Sequence, residues 1–181
     1  LGDLRPQGVS PPLRWEYGLT SRALFAPVQS PLRIWLATDT RTFLALSKID
    51  KEVIVTGPLW EQIAARPAQA ETLAYVPLVD GTLVAVDLEG GNQTAGLSSP
   101  WRVNVGGLLN RTPLVTDDAV YVAGDNTGVA RVDRKSGTLL WERSEDQARD
   151  EIANALNHPA AISPVTDGEN VYVFFKDLGL L

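Results

Sequence analysis

The sequence predicts an all-β chain: a β-propeller of four-stranded antiparallel blades, about three complete plus part of a fourth, with one short inserted helix. Three observations carry this. Trp15, Trp60, Trp101 and Trp141 lie 45, 41 and 40 residues apart. A second aromatic series, Trp35, Tyr75, Tyr121 and Tyr172, advances by 40, 46 and 51. Each of its members follows a proline by eight positions: Pro27, Pro67, Pro113 and Pro164. Three markers keeping one order four times describe a repeat, and this period, with short strands throughout, is that of propeller blades.

Along the chain, residues 1–14, LGDLRPQGVSPPLR, read as a Pro/Gly-rich lead-in or linker, and 15–181 as the partial propeller. Its units are expected at 15–59, 60–100, 101–140 and 141–181. The first and third align without a gap: IWLATDTRTFLALS (34–47) lies on VYVAGDNTGVARVD (120–133). The second reads AYVPLVDGTLVAVD (74–87) and the fourth VYVFFKDLGLL (171–181).

Within the third unit, the β-branched and aromatic run 120–123 and the run 129–133 predict two strands. GDNTG between them supplies a hairpin turn, as VDGT does at 79–82, because Asn and Gly tolerate positive φ. DRKSG (133–137) makes the next reversal. Asp133 can accept from backbone N–H groups two or three residues on, and Gly137 can turn left-handed. The strand TLLW then delivers Trp141. A four-stranded sheet cannot bury both faces alone, so neighbouring sheets must stack, with a flat indole filling the gap and its N–H reaching a carbonyl. Ser144, Glu145 and Asp146 suit a helix start, and Ala148, Ile152, Ala155 and Leu156 could share one apolar face, so a short helix is expected over 144–156.

Composition narrows the function classes. The net charge of −6 argues against a nucleic-acid footprint, and residues 61–181 hold most of the acid, 17 carboxylates to 9 bases. No cysteine is present, which removes disulfides, thiolate nucleophiles and Cys-ligated metals. No apolar run approaches the roughly 20 residues needed to cross a bilayer.

VARVDRKSGTLLW (129–141) resembles the propeller repeat of the PQQ-like, or quinoprotein-like, family, whose tryptophan-docking pattern is Ala-x-Asp-x-x-Thr-Gly-x-x-x-Trp. Asp133, Ser136, Gly137 and Trp141 fill it, with Ser for Thr, and Arg131 stands where the pattern has Ala. The second unit offers Ala85 and Asp87 before a longer turn; the first has Ala45, then Ser47 in place of the acid. The resemblance implies blade-docking roles for Trp15, Trp60, Trp101, Asp133, Ser136, Gly137 and Trp141. Because such rings close with more blades than this chain holds, it implies a fragment or a subunit completed by another copy. The expected partner is a protein or the remaining blades, with self-association through open sheet edges as a further option.

No reactive constellation emerges. His158 is the single histidine, and no G-x-S-x-G elbow accompanies it. DGT (80–82), GDNTG (124–128) and TDGEN (166–170) share letters with calcium loops but not their spacing. EGGNQTAGLSS (89–99) lacks the G-K-[ST] ending of a phosphate loop. No catalytic residue, metal site or cofactor is therefore expected. The reading is a non-catalytic scaffold or binding module like PQQ-like repeat domains of bacterial envelope proteins, in the periplasm or another extracytoplasmic space. The alternatives are a fragment of a PQQ-dependent dehydrogenase and a sensor propeller attached to another domain. The family's alcohol dehydrogenases clamp quinone with an adjacent Cys pair, a feature this chain lacks.

Overall fold

A computed structural model describes residues 16–125, 128–144, 164–172, 174–175 and 179–180. Three four-stranded antiparallel sheets follow one another along the chain, each a simple meander with its strands in sequence order. The first holds β1 (Val28–Gln29), β2 (Arg33–Ala37), β3 (Thr42–Ser47) and β4 (Val53–Pro58). The second holds β5 (Ala68–Ala70), β6 (Leu73–Pro77), β7 (Thr82–Asp87) and β8 (Trp101–Asn104). The third holds β9 (Leu114–Val115), β10 (Ala119–Gly124), β11 (Gly128–Asp133) and β12 (Leu139–Arg143). Two two-stranded pieces complete the described chain: β13 (Val165–Thr166) with β14 (Val171–Tyr172), and β15 (Phe174–Phe175) with β16 (Gly179–Leu180). The described residues include no helix. The helix expected over 144–156 lies, apart from Ser144, outside them.

Why meanders form is local. Each second strand turns into the third through a tight reversal, closed by Thr38 N–H to Thr42 O at 2.9 Å in the first sheet and Leu78 N–H to Thr82 O at 2.8 Å in the second. The left-handed residue is Gly81 in the second (φ +82) and Arg41 in the first (φ +60). Asp80 Oδ1 accepts from Thr82 N at 3.0 Å, which fixes the turn from the side chain. In the third sheet Gly124 pairs with Gly128, whose φ is +66.

Packing follows from the strand period of two. In the second sheet Ala74, Val76, Val84 and Val86 join one core with Trp35, Phe43 and Val55 of the first sheet. Tyr75, Leu83 and Ala85, the residues between them, join a second core with Val120, Val122, Ala130 and Val132 of the third sheet. The middle sheet is thus buried on both faces, and its strands read as nearly continuous apolar runs. Each large side chain so buried contributes roughly 1.5–3 kcal/mol. The stack exists because no sheet here has a core of its own.

Candidate functional site

Pairing registers place one residue of each strand in a transverse row across each sheet. In the first sheet the row is Val28, Trp35, Ala45, Val55. In the second it is Ala68, Tyr75, Ala85, Trp101, and in the third Leu114, Tyr121, Arg131, Trp141. In the first two sheets the row residues of the inner strands face the next sheet and meet its reversal after the third strand.

At the first junction Trp35 is fully buried and donates its indole N–H to Leu88 O at 2.8 Å, while its ring stacks on Phe43 with centroids 4.9 Å apart. At the second, Trp101 donates to Arg134 O at 3.1 Å, and its ring lies 5.8 Å from that of Tyr75. The Asp133–Gly137 turn is what Trp101 rests on. Asp133 Oδ1 accepts from Lys135 N at 3.1 Å and from Ser136 N and Oγ at 2.8 Å. Those bonds, the Ser136 N–H foremost, hold the Asp133 carboxyl below the usual carboxylate range. Gly137 has φ +72, and a Cβ there would stand 2.6 Å from Cδ2 of Trp101. Glycine is required twice over, for the backbone and for the ring.

Arg134 fastens the same junction. It donates from Nε to the Tyr75 hydroxyl at 3.2 Å and from Nη1 to the carbonyls of Thr116 and Asp117, both at 3.3 Å, and pairs with Glu71 at 2.8 Å. Burial pushes the Tyr75 hydroxyl above its ordinary pKa, and the Arg134 guanidinium opposes that rise. In the first sheet the turn is built from other residues. Ser47 Oγ accepts from Ile49 N at 3.2 Å and Asp50 N at 3.4 Å, and Lys51 takes the left-handed place, with φ +68.

The residues expected to dock blades are therefore not one set. Trp101, Asp133, Ser136 and Gly137 come together. Trp141 occupies the row position equivalent to Trp101 but is 40 % exposed, against 9 %. Trp60 is off the row: Val55 holds that place, and Trp60 lies beyond the end of β4, 51 % exposed, with the Arg102 guanidinium 5.1 Å from its ring centre. Trp15 and His158 lie outside the described residues. Trp35, Tyr75, Leu88 and Arg134 complete the junctions, and the aromatic series eight residues after each proline was the signal for the first two.

The acidic stretches at 80–82 and 166–170 serve as turns. Asp80 and Asp167 cap following N–H groups, the latter from Glu169 and Asn170. No cluster of three or more His, Asp or Glu side chains suited to a cation occurs among the described residues. No helix among them is long and apolar enough to cross a membrane.

Comparison with known proteins places this arrangement. A family model described as outer membrane protein assembly factor BamB matches residues 98–181. Outer membrane protein assembly factor BamB of Yersinia pestis is 27 % identical over 154 residues, 78 % of this chain and 38 % of that protein. The chain thus spans well under half the length of that curated relative. Among solved structures, BamB from Moraxella catarrhalis overlays with a TM-score of 0.50 at 17 % identity, over 89 % of this chain and 60 % of that one. A europium-containing methanol dehydrogenase overlays with a TM-score of 0.52 at 18 % identity, over 72 % of this chain and 26 % of that one. At such identities the overlays carry the fold, and the fold is that of stacked propeller blades.

Proposed function

We propose that this chain, built of PQQ-like repeats, is a non-catalytic scaffold or binding module that works outside the cytoplasm, as part of a β-propeller. The observation that supports it is the use to which the chain puts its well-placed groups. The indoles of Trp35 and Trp101 and the Arg134 guanidinium are engaged in joining one sheet to the next, and the Asp133 carboxylate holds the turn on which Trp101 rests. A relative whose name is that of an assembly factor is consistent with this. Fold alone does not assign an activity.

The competing reading is a piece of a quinone-dependent dehydrogenase, since such an enzyme shares the blade architecture. Two experiments separate them. Affinity capture with cross-linking in the producing cells should return a protein partner. Titration with pyrroloquinoline quinone and calcium should change neither the absorbance of the quinone nor dye reduction with alcohols or sugars. Reproducible turnover, or repeated capture of no partner, overturns the scaffold reading.

A further inference from the structure

The two junctions inside the chain are closed by opposite means. The reversals that enter them share one closing bond, Asp87 N–H to Ser98 O in the second sheet and Asp133 N–H to Thr138 O in the third, both at 2.8 Å. One residue before each acceptor stand Leu97 and Gly137, which are therefore equivalent. At the second junction the earlier sheet presents Trp101 and the reversal presents Gly137. At the first, Val55 holds the row place of Trp101 and Gly57 the place of Val103, while the reversal presents Leu97. Leu97 packs against the core that contains Val55. A Cβ on Gly57 would stand 3.0 Å from Leu97 Cγ, so the leucine lies on bare backbone there.

The length of the second reversal is what lets a leucine occupy that place. Ten residues separate Asp87 from Ser98, against four between Asp133 and Thr138. In the short turn the residue before the acceptor is itself left-handed, with φ +72, which calls for glycine. In the long one the left-handed places fall on Gly91 and Gly96, with φ +75 and +72, and Leu97 keeps an ordinary φ. Asn92 and Gly96 bond each other twice, at 3.2 and 2.8 Å, and Asn92 Oδ1 accepts from the N–H groups of Thr94 and Ala95. Gln93 Nε2 donates to the carbonyl of Val53 on β4, which braces the loop against the first sheet.

We propose that the lengthened second reversal is a docking element that delivers Leu97 as the plug of the first junction, and that the match of Leu97 to Val55 and Gly57, against that of Gly137 to Trp101, decides which sheet each reversal can seat on. Bulk lies on the reversal at the first junction and on the preceding sheet at the second. Exchanging the two reversals would set Leu97 against Trp101, where a single Cβ already overlaps the ring, and would set Gly137 against Val55, where a void remains. Discrimination between like surfaces needs such a repulsive element beside the attractive one. Sheets built to one strand plan thereby stack only in chain order, and the third sheet of a second copy is kept off the first. This selectivity operates whether or not the module is a scaffold.

Urea unfolding of the full chain tests this through two pairs of substitutions and one graft. Val55→Trp and Leu97→Gly should each lower the midpoint, the first by overlap and the second by a void. Their combination should regain at least half of the larger loss. The milder pair is Gly57→Ala with Leu97→Ala. The added methyl should lower the midpoint in the parent chain, and should leave it level or raise it once Leu97 is shortened. In the graft, Arg-Lys-Ser-Gly, the sequence of residues 134–137, replaces residues 88–97. That chain should unfold at lower urea than the parent and should recover when Val55→Trp is added. If no chain with Val55→Trp folds, the milder pair decides alone. Additive losses in either folded pair, or a graft as stable as the parent while Val55 is still in place, overturn the proposal.

Discussion

Gly137 lies directly under the indole of Trp101, so close that a Cβ on residue 137 would stand 2.6 Å from Cδ2 and 2.7 Å from Cγ of the ring. The junction between the second and third sheets depends on that missing side chain. It joins a turn and a tryptophan 36 positions apart in sequence, and it sets how closely the two sheets approach.

Gly137→Ala should destabilise the chain by about 2–4 kcal/mol, from a non-glycine residue held left-handed together with steric overlap. Urea unfolding measures it, and Trp101→Leu in the same chain should recover part of the loss because the overlap disappears. Strict additivity of the two substitutions would show that ring and glycine do not bear on each other. Gly168→Ala is the control, since Gly168 also has positive φ, +100, but nothing within 4 Å of an added Cβ.

Trp35→Phe keeps an aromatic ring in the first junction but removes the N–H that Leu88 O accepts. The buried Leu88 carbonyl then keeps only the Ser30 hydroxyl, at 3.5 Å, for a loss of about 1 kcal/mol. A melting temperature equal to that of the parent chain would contradict the role given to this bond.

Lys51→Gly should stabilise the protein. Lys51 adopts φ +68 in the turn that Gly137 makes in the third sheet. Relief of left-handed strain outweighs the extra freedom glycine gives the unfolded chain, for a net gain of roughly 0.5–1 kcal/mol. A fall in the urea midpoint would mean that the lysine side chain contributes more than its backbone loses.

Acid should weaken the fold. Asp133 is held below its ordinary pKa by the Ser136 N–H, and Asp118 chiefly by the Thr116 hydroxyl. A carboxyl whose folded pKa is lowered contributes fully above its unfolded value of about 3.9 and loses that contribution as the pH falls toward the folded value. Stability should therefore be level from pH 7 down to about 5 and drop below about pH 4. Asp133→Asn keeps an acceptor in the turn but not the titration, so its melting temperature should fall less between pH 4 and 3. Parallel pH profiles for the two chains would refute this.

The repeat was legible because docking demands a ring at a fixed place in each sheet, and eight residues from proline to ring is the geometry of β1 into β2. The tryptophan series was the less faithful guide. Across the first junction bulk comes from Trp35, Phe43 and Val55, and across the second from Tyr75, Leu83 and Trp101. A large residue in one strand is exchanged for a large residue in another, and total volume is what packing controls. Trp60 keeps the spacing by position along the chain yet sits off the row, and cross-strand register is invisible until the loop between β3 and β4 is known. The Ser47–Lys51 turn was hidden for a related reason. A serine hydroxyl can cap as an aspartate does, and a lysine can be forced left-handed, but neither carries the Asp-x-x-x-Gly signature.

The middle sheet faces two different neighbours with alternate residues of the same strands, and this restricts how the molecule can change. Losing or gaining a single residue inside β6 or β7 would exchange the two walls, sending Tyr75 and Leu83 toward one neighbour and Val76 and Val84 toward the other. Growth and shrinkage of such a molecule are therefore confined to its reversals, where the loop from Glu89 to Ser98 has already lengthened, or to the gain and loss of an entire blade at a time.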